Sequence, residues 1–255
     1  MALRVAIVAF VIALLIGVGA FFLWPRAPVL PPAAPPAPAA PPAAAKGPRF
    51  PLASEPAKEP LPALAQSDAM VLSALDALAA SRIVGLLVPE DLVRRIVATV
   101  DNLPREAYAA RLNPVRTPGG IMKTTGRDEN LAIAPENARR YAAYVDALEA
   151  VDAQRLVAVY QRLYPLFQQA YMELGYPDGY FNDRLVEVID HLLAAPEPAA
   201  PVKLATPHVL YEFADPDLES SSAGHKLMIR MGAANEARVK AKLKVIRGAL
   251  VPAPG

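Results

Sequence analysis

From Val5 to Trp24 the chain reads VAIVAFVIALLIGVGAFFLW, a run without a single charge. At about 1.5 Å of rise per residue such a helix is roughly 30 Å long, the thickness of a bilayer's hydrocarbon core. Arg4 and the amino terminus precede it, Arg26 closes it, and Trp24, the only Trp, sits where an interfacial indole belongs. A cleavable signal peptide would have an apolar region of about 7–15 residues, and the small residues Val18 and Ala20 lie inside the run rather than after it. The expectation is therefore an uncleaved anchor over residues 1–26. The positive charges are nearly balanced across the run, with Arg26, Lys46 and Arg49 thinly spread after it. A very short amino-terminal tail before a long remainder places the carboxyl-terminal bulk in the periplasm, on the inner membrane. No Cys is present, which excludes a lipobox, disulfides, Cys-ligated metals and thiol nucleophiles.

Within the run, Ala6, Ala9, Ala13, Gly17 and Ala20 recur every three or four residues and share one narrow helix face. Small residues at that spacing let two helices approach closely, which suits a homodimer through the membrane; an Ala-rich composition produces the same pattern without dimerisation. After the run, 14 of the 28 prolines fall between Pro25 and Pro62, interleaved with Ala. That composition cannot bury a core, and it favours a semi-rigid polyproline II spacer. Residues 27–63 are thus expected as a disordered linker, with docking to a proline-reading module as the rival reading.

The rest, residues 64–250 with a tail at 251–255, reads as one helical domain of adequate size for a single core. From Leu64 onward it carries 21 Lys+Arg against 23 Asp+Glu, so its electrostatics do not suit nucleic acid. Ser67 is expected to cap a helix with Val71, Leu72, Leu75 and Leu78 inward. Pro89 opens another with Leu92, Ile96 and Val100, broken at Asn102-Leu103-Pro104 before a short helix from Arg105. Ile121–Thr125 and Leu131–Ile133 predict a small hairpin around Gly126–Asn130. Helix resumes at Pro135 through Tyr141, Tyr144, Val145 and Leu148, then restarts after Asp152 with Leu156, Val159, Leu163, Phe167 and Ala170 on one side. Pro165 should kink or split that helix, and Gly175 should end it. A helix over Asp183–Leu193 is expected with Asn182 as cap. Val202–Leu204 and Val209–Phe213 are strand candidates. The last helix, Ala234–Leu250, points Val239, Leu243, Ile246 and Leu250 inward and Lys240, Lys244 and Arg247 outward. The fold class is mainly α: a single-pass transmembrane helix, a Pro/Ala-rich linker, and a helical bundle-like domain with a minor β hairpin.

Four blocks, IVATVDNLPR (Ile96–Arg105), YPLFQQAYMELGYP (Tyr164–Pro177), YFNDRLVEVIDHLL (Tyr180–Leu193) and YEFADPDLE (Tyr211–Glu219), resemble the bacterial family called domain of unknown function 3014. The resemblance covers most of Leu64–Leu250, and the anchor and spacer resemble that family as well. It implies a membrane-tethered envelope protein and brings no reaction, cofactor or site residue with it.

Three groups of residues bear on chemistry. Asp183, Glu187 and His191 stand at four-residue steps on one helix face, where carboxylate and imidazole could serve a metal or act as base and orienter. Against this, two or three ligands on one helix leave a zinc site incomplete, and only His208 and His225 could add imidazole. Glu187 pairing with protonated His191 is the plainer reading. Secondly, Tyr141, Tyr144, Tyr160, Tyr164, Phe167, Tyr171, Tyr176, Tyr180 and Phe181 crowd one third of the domain, as core or as a groove gripping peptide or sugar. Tyr164, Gln168, Tyr176, Tyr180, Asn182 and Arg105 are the binding candidates. Thirdly, Asp101-Asn102-Leu103-Pro104-Arg105 suits helix capping better than an anion cleft. Ser220, Ser221 and Ser222 with His225 lack the Gly-x-Ser-x-Gly elbow of a serine hydrolase. The expected function is non-catalytic interaction in the envelope, with a protein partner or peptidoglycan, without cofactor and without nucleic acid; the alternative is a hydrolase or metal-dependent enzyme on the Asp183/Glu187/His191 face.

Overall fold

Apolar residues at three- and four-residue steps build eight α-helices in the computed structural model, which describes residues 47–52, 60–79, 84–106, 109–207 and 210–251. The helices are α1 (Asp68–Ala79), α2 (Leu92–Asn102), α3 (Ala142–Glu149), α4 (Ala153–Glu173), α5 (Phe181–Leu193), α6 (Pro216–Glu219), α7 (Ala223–Met231) and α8 (Ala233–Leu250). The expected anchor with Ala6, Ala9, Ala13, Gly17 and Ala20, the linker up to residue 46, His208 and residues 252–255 lie outside the described residues. Among the described residues no helix is long and apolar enough to cross a membrane.

The two longest helices form the middle of the bundle. α4 packs against α1, α2, α5 and α8, and α8 against α3, α4, α5 and α7. Leu156, Val159, Leu163, Phe167 and Ala170 of α4 are buried as their spacing predicts, and so are Val239, Leu243, Ile246 and Leu250 of α8. Each such side chain contributes roughly 1.5–3 kcal/mol by leaving water, which outweighs local defects. Pro165 shows this: it stands exposed within α4 and does not split it. Buried Leu163 and Phe167 on the opposite side, with Leu166 beside them, hold the helix through the missing amide.

Around this bundle sit two antiparallel pairs, β1 (Thr124–Thr125) with β2 (Ala132–Ile133) and β3 (Leu204–Ala205) with β4 (Glu212–Phe213). The hairpin expected at residues 121–133 is thus present, with Thr124 opposite Ile133. A single bridge between Ala132 and Lys203 joins the pairs. Met122, Leu204, Phe213 and Ile229 make a small second core beneath them.

Several local expectations are corrected. Ser67 precedes α1, but its hydroxyl donates to the Leu64 carbonyl at 2.7 Å instead of receiving a helix amide. Pro89 stands before α2, which starts at Leu92 with its first amides held from α1: Asp68 accepts from Asp91 N–H at 2.9 Å and Leu92 N–H at 2.8 Å. Arg105 and Glu106 are not helical, and the next turn among the described residues is the 3-10 segment Ala110–Leu112. Helix does resume at Pro135, first as a 3-10 turn to Tyr141. Asn182 lies inside α5, buried, and is not its cap. Lys240 is only 8% exposed, since its ammonium binds Glu236 at 2.9 Å, Glu197 at 2.6 Å and the Ala195 carbonyl at 2.7 Å. Helices α6 and α7 had no counterpart in the sequence reading.

Candidate functional site

α4 ends in a Schellman motif: Tyr176 N–H returns to Tyr171 O at 3.4 Å and Gly175 N–H to Met172 O at 3.1 Å, with Gly175 at φ +118°. This is the C-cap expected of Gly175. The turn lays Tyr176 flat on Tyr171, ring centroids 4.6 Å apart. It also carries the chain back so that α5 starts beside α4. No side chain of α5 caps its own start. Gln168 of α4 does so from across the turn: its Oε1 accepts Phe181 N–H at 2.9 Å and the Tyr164 hydroxyl at 2.7 Å, while Nε2 donates to Gly179 O at 2.7 Å.

Behind this corner lies Asp101, 2% exposed. Its carboxylate accepts Arg105 Nη2 at 2.6 Å, Arg184 Nε at 2.9 Å and the Tyr176 hydroxyl at 3.1 Å. Arg105 Nη2 also donates to the Tyr176 hydroxyl at 2.9 Å, and Arg184 Nη2 to the Asp101 carbonyl at 2.8 Å. Charge-assisted bonds of this kind balance the burial of the carboxylate. The network binds three elements together, and the Arg105 guanidinium is held above its usual pKa chiefly by the Asp101 charge.

The face Asp183/Glu187/His191 does not converge on a common point. Asp183 accepts the backbone N–H groups of Arg49 at 2.9 Å and Phe50 at 2.8 Å. Next to it, Asn182 Nδ2 donates to Phe50 O at 2.7 Å. Glu187 pairs with Arg49 at 3.3 Å and Arg184 at 3.7 Å, not with His191. His191 Nε2 is hydrogen-bonded to Ser222 Oγ at 2.7 Å, and its ring stacks on His225 with centroids 4.0 Å apart. His225 Nε2 donates to the His191 carbonyl at 2.7 Å. Burial first, then His225 and Arg184, bring His191 down to about 4, so it is neutral at pH 7. Ser222 Oγ accepts the His225 backbone N–H at 3.2 Å as the cap of α7, and the imidazole it meets is that of His191. Asp190, the carboxylate beside it in sequence, is bound by Arg247. Among the described residues no three His, Asp or Glu side chains are grouped to hold a metal ion.

The aromatic residues divide. Tyr141, Tyr144, Tyr160, Phe167, Tyr171 and Phe181 are core. Tyr160 meets Tyr164 and Phe167 edge to face at 5.7 and 5.5 Å. Tyr164, Tyr176 and Tyr180 are half-buried. Tyr164 and Gln168 line a shallow concavity of about 640 Å³ with Pro165, Gln169, Met172, Glu173 and Pro177. Met172 is 47% and the nearby Leu174 40% exposed, which makes this end of α4 an apolar surface patch. Of the other binding candidates, Tyr176 and Arg105 lie in the Asp101 network, Asn182 is bonded to Phe50, and Tyr180 holds the N-cap position of α5. The sequence reading missed the role of Arg49 and Phe50, because their partners lie more than 130 residues away.

The family model described as "Protein of unknown function (DUF3014)" matches residues 92–247, from the start of α2 to the last turn of α8. No curated protein and no solved structure matches the chain.

Proposed function

The chain belongs to the DUF3014 family, and we propose that it works as a non-catalytic binding module tethered to the inner membrane, its helical domain facing the periplasm. The run Val5–Trp24 supplies the anchor and the Pro/Ala stretch the spacer. The supporting observation is the clasp at α5: Asn182, Asp183 and Glu187 hold Arg49 and Phe50, which lie within the Pro-rich stretch, against the domain. A tether clasped in this way gives the domain a defined orientation, which serves presentation of a surface. The polar residues that an enzyme would need on this face are engaged in that clasp or in the Ser222–His225 contacts.

The surface to be presented is the concavity beside Tyr164, and its fitting occupant is an extended apolar segment of an envelope protein. Its floor is aromatic and aliphatic, and its polar edge is held by Gln169 Nε2 donating to Glu173 at 3.0 Å and by Arg94 paired with Glu173 at 3.0 Å. A photo-crosslinking residue in place of Met172 in the full-length chain, expressed in its own cells, tests this. One discrete adduct is expected, lost on removing the anchor and on Leu174→Glu, and absent when the crosslinker replaces Ile121. An adduct that survives both changes, or no adduct at all, overturns the reading. A reporter fused after Gly255 that is active only in the cytoplasm overturns the topology separately.

A further inference from the structure

The β1–β2 hairpin and the Pro135–Tyr141 turn line a second open concavity, of about 540 Å³. It is lined by Lys123, Thr124, Ala134, Glu136, Arg139 and Arg140. Three cations thus face one carboxylate in a domain whose overall charge is slightly negative. Among the described residues, none of these three cations forms an ion pair.

Arg140 is aimed by the backbone. Its Nη2 donates to Gly120 O at 2.8 Å and Pro118 O at 3.5 Å, and its Nη1 to Asn137 Oδ1 at 3.3 Å. Its Nε is buried without a partner. Asn137, fully buried, is the hub: its Oδ1 also accepts Lys123 N–H at 3.0 Å, and its Nδ2 donates to Arg230 O at 2.9 Å. That links the cavity wall to Arg230 of α7, which is 2% exposed. Arg230 lies over the Phe213 ring at 5.1 Å, and its Nε and Nη2 are buried without partners. Glu219, the carboxylate whose charge acts on Arg230, is already bound by Lys226 at 2.6 Å and by Phe213 N–H at 2.8 Å. Tyr141 stands within electrostatic reach of both Arg140 and Arg230. Burying guanidinium groups without a counter-charge works against folding, and nothing in the packing of the satellite core calls for it.

We infer that this cavity is a binding site for a phosphate oxyanion, with Arg140, Arg139 and Lys123 as its ligands and Arg230 reinforcing the positive field from behind. The Arg140 guanidinium is held in place by backbone carbonyls, a planar guanidinium matches phosphate oxygens in pairs, and the exposed Arg139 and Lys123 add mobile charge. The concavity is open to solvent, so the organic part of a phosphate ester need not be enclosed. The same chemistry is offered by a soluble phosphate ester and by an anionic phospholipid headgroup. The inference stands apart from the concavity beside Tyr164 and does not depend on it.

Calorimetric titration of the full-length protein in neutral detergent tests it, using glycerol 3-phosphate in one arm and short-chain phosphatidylglycerol in the other. Saturable binding is expected in one arm at least, weakened about tenfold or more by Lys123→Gln with Arg139→Gln and progressively by added salt. Both substitutions are at exposed positions, so the variant folds; Lys244→Gln, on the exposed face of α8, is the control and should leave affinity unchanged. Binding of glycerol 3-phosphate assigns a soluble ester, and binding of the lipid alone assigns a headgroup. No saturable binding in either arm, or equal affinity in the Lys123/Arg139 variant, overturns the inference.

Discussion

Asp101 shows how much a single buried charge can hold. Its carboxylate is shared by Arg105, Arg184 and Tyr176, which come from three stretches of chain. Asp101→Ala leaves those donors facing an apolar hole, and breaking a buried pair costs about 3–5 kcal/mol. Arg105 is half exposed and can rehydrate, so the expected loss is near the lower figure, read as a shift in the urea midpoint of the full-length chain. Asp101→Asn keeps the shape but loses the charge, and should fall between the two. His191 makes a second residue-scale prediction. Its pKa is about 4 in the fold against an ordinary value of 6.5, so the unfolded chain takes up a proton that the folded one refuses. The stability tied to this group is complete above about pH 6.5 and drains away as pH falls towards 4. With half of the imidazole still near solvent, the loss should be about 1–2 kcal/mol. His191→Asn should remove that part of the slope between pH 7 and pH 4.5 in thermal melts. Its groups in reach are His225, Arg184 and the Ser222 hydroxyl, so a variant with an unchanged slope would refute the assignment.

At the scale of elements, two glycines in helices should respond in opposite directions. Gly224 sits in the first turn of α7, where Ala223 N–H and its own N–H reach the carbonyls of Arg105 at 2.7 Å and Leu103 at 2.9 Å. A methyl there would lie 2.7 Å from Leu192 Cδ2 and 3.1 Å from the Leu103 carbonyl oxygen. Gly224→Ala should therefore destabilise by about 1–3 kcal/mol. In α8, a Cβ on Gly248 meets nothing within 4 Å, and Gly248→Ala should stabilise by about 0.5–1 kcal/mol; denaturant titration of both variants checks the sign. These helices also show what was legible. α4 and α8 could be read because their apolar residues repeat on one face over several turns. α7 could not, because Lys226 and Arg230 interrupt Leu227, Met228, Ile229 and Met231, yet both cations are buried, Lys226 paired with Glu219 and Arg230 over the Phe213 ring. Lys240 was placed outward for the same reason: Glu236 four residues earlier looks like a surface pair, and only Glu197 and the Ala195 carbonyl, from beyond α5, explain its burial. The polar face of α5 was recognised as special, but spacing alone says which residues share a face and not what meets them. Tyr164 and Gln168 line the concavity at this end of α4, while Gln168 spends its amide on the start of α5.

For the molecule as a whole, the decisive junction is where residues 47–52 meet the helical domain. Phe50, Leu52 and Leu61 pack against the main core. Asp183 and Asn182 fix the backbone at Arg49 and Phe50 with three hydrogen bonds. Apolar packing alone would let that strand slide, whereas bonds to a backbone N–H pair and a carbonyl set its register. Removing them should cost only about 1–2 kcal/mol in total, since the freed backbone groups lie near solvent and rehydrate. The larger effect is expected on orientation. The chain has no Cys, so spin labels can be placed singly, at Gly47→Cys and Asp178→Cys, both exposed positions. Pulsed dipolar measurements on the full-length protein in detergent should give one narrow distance distribution. Adding Asp183→Ala and Asn182→Ala should broaden it several-fold while the melting temperature moves little. A broad distribution before those substitutions, or a narrow one after them, would mean that the tether is not oriented by this clasp. The binding-module reading would then lose the observation that supports it, even if the concavity beside Tyr164 still bound a partner.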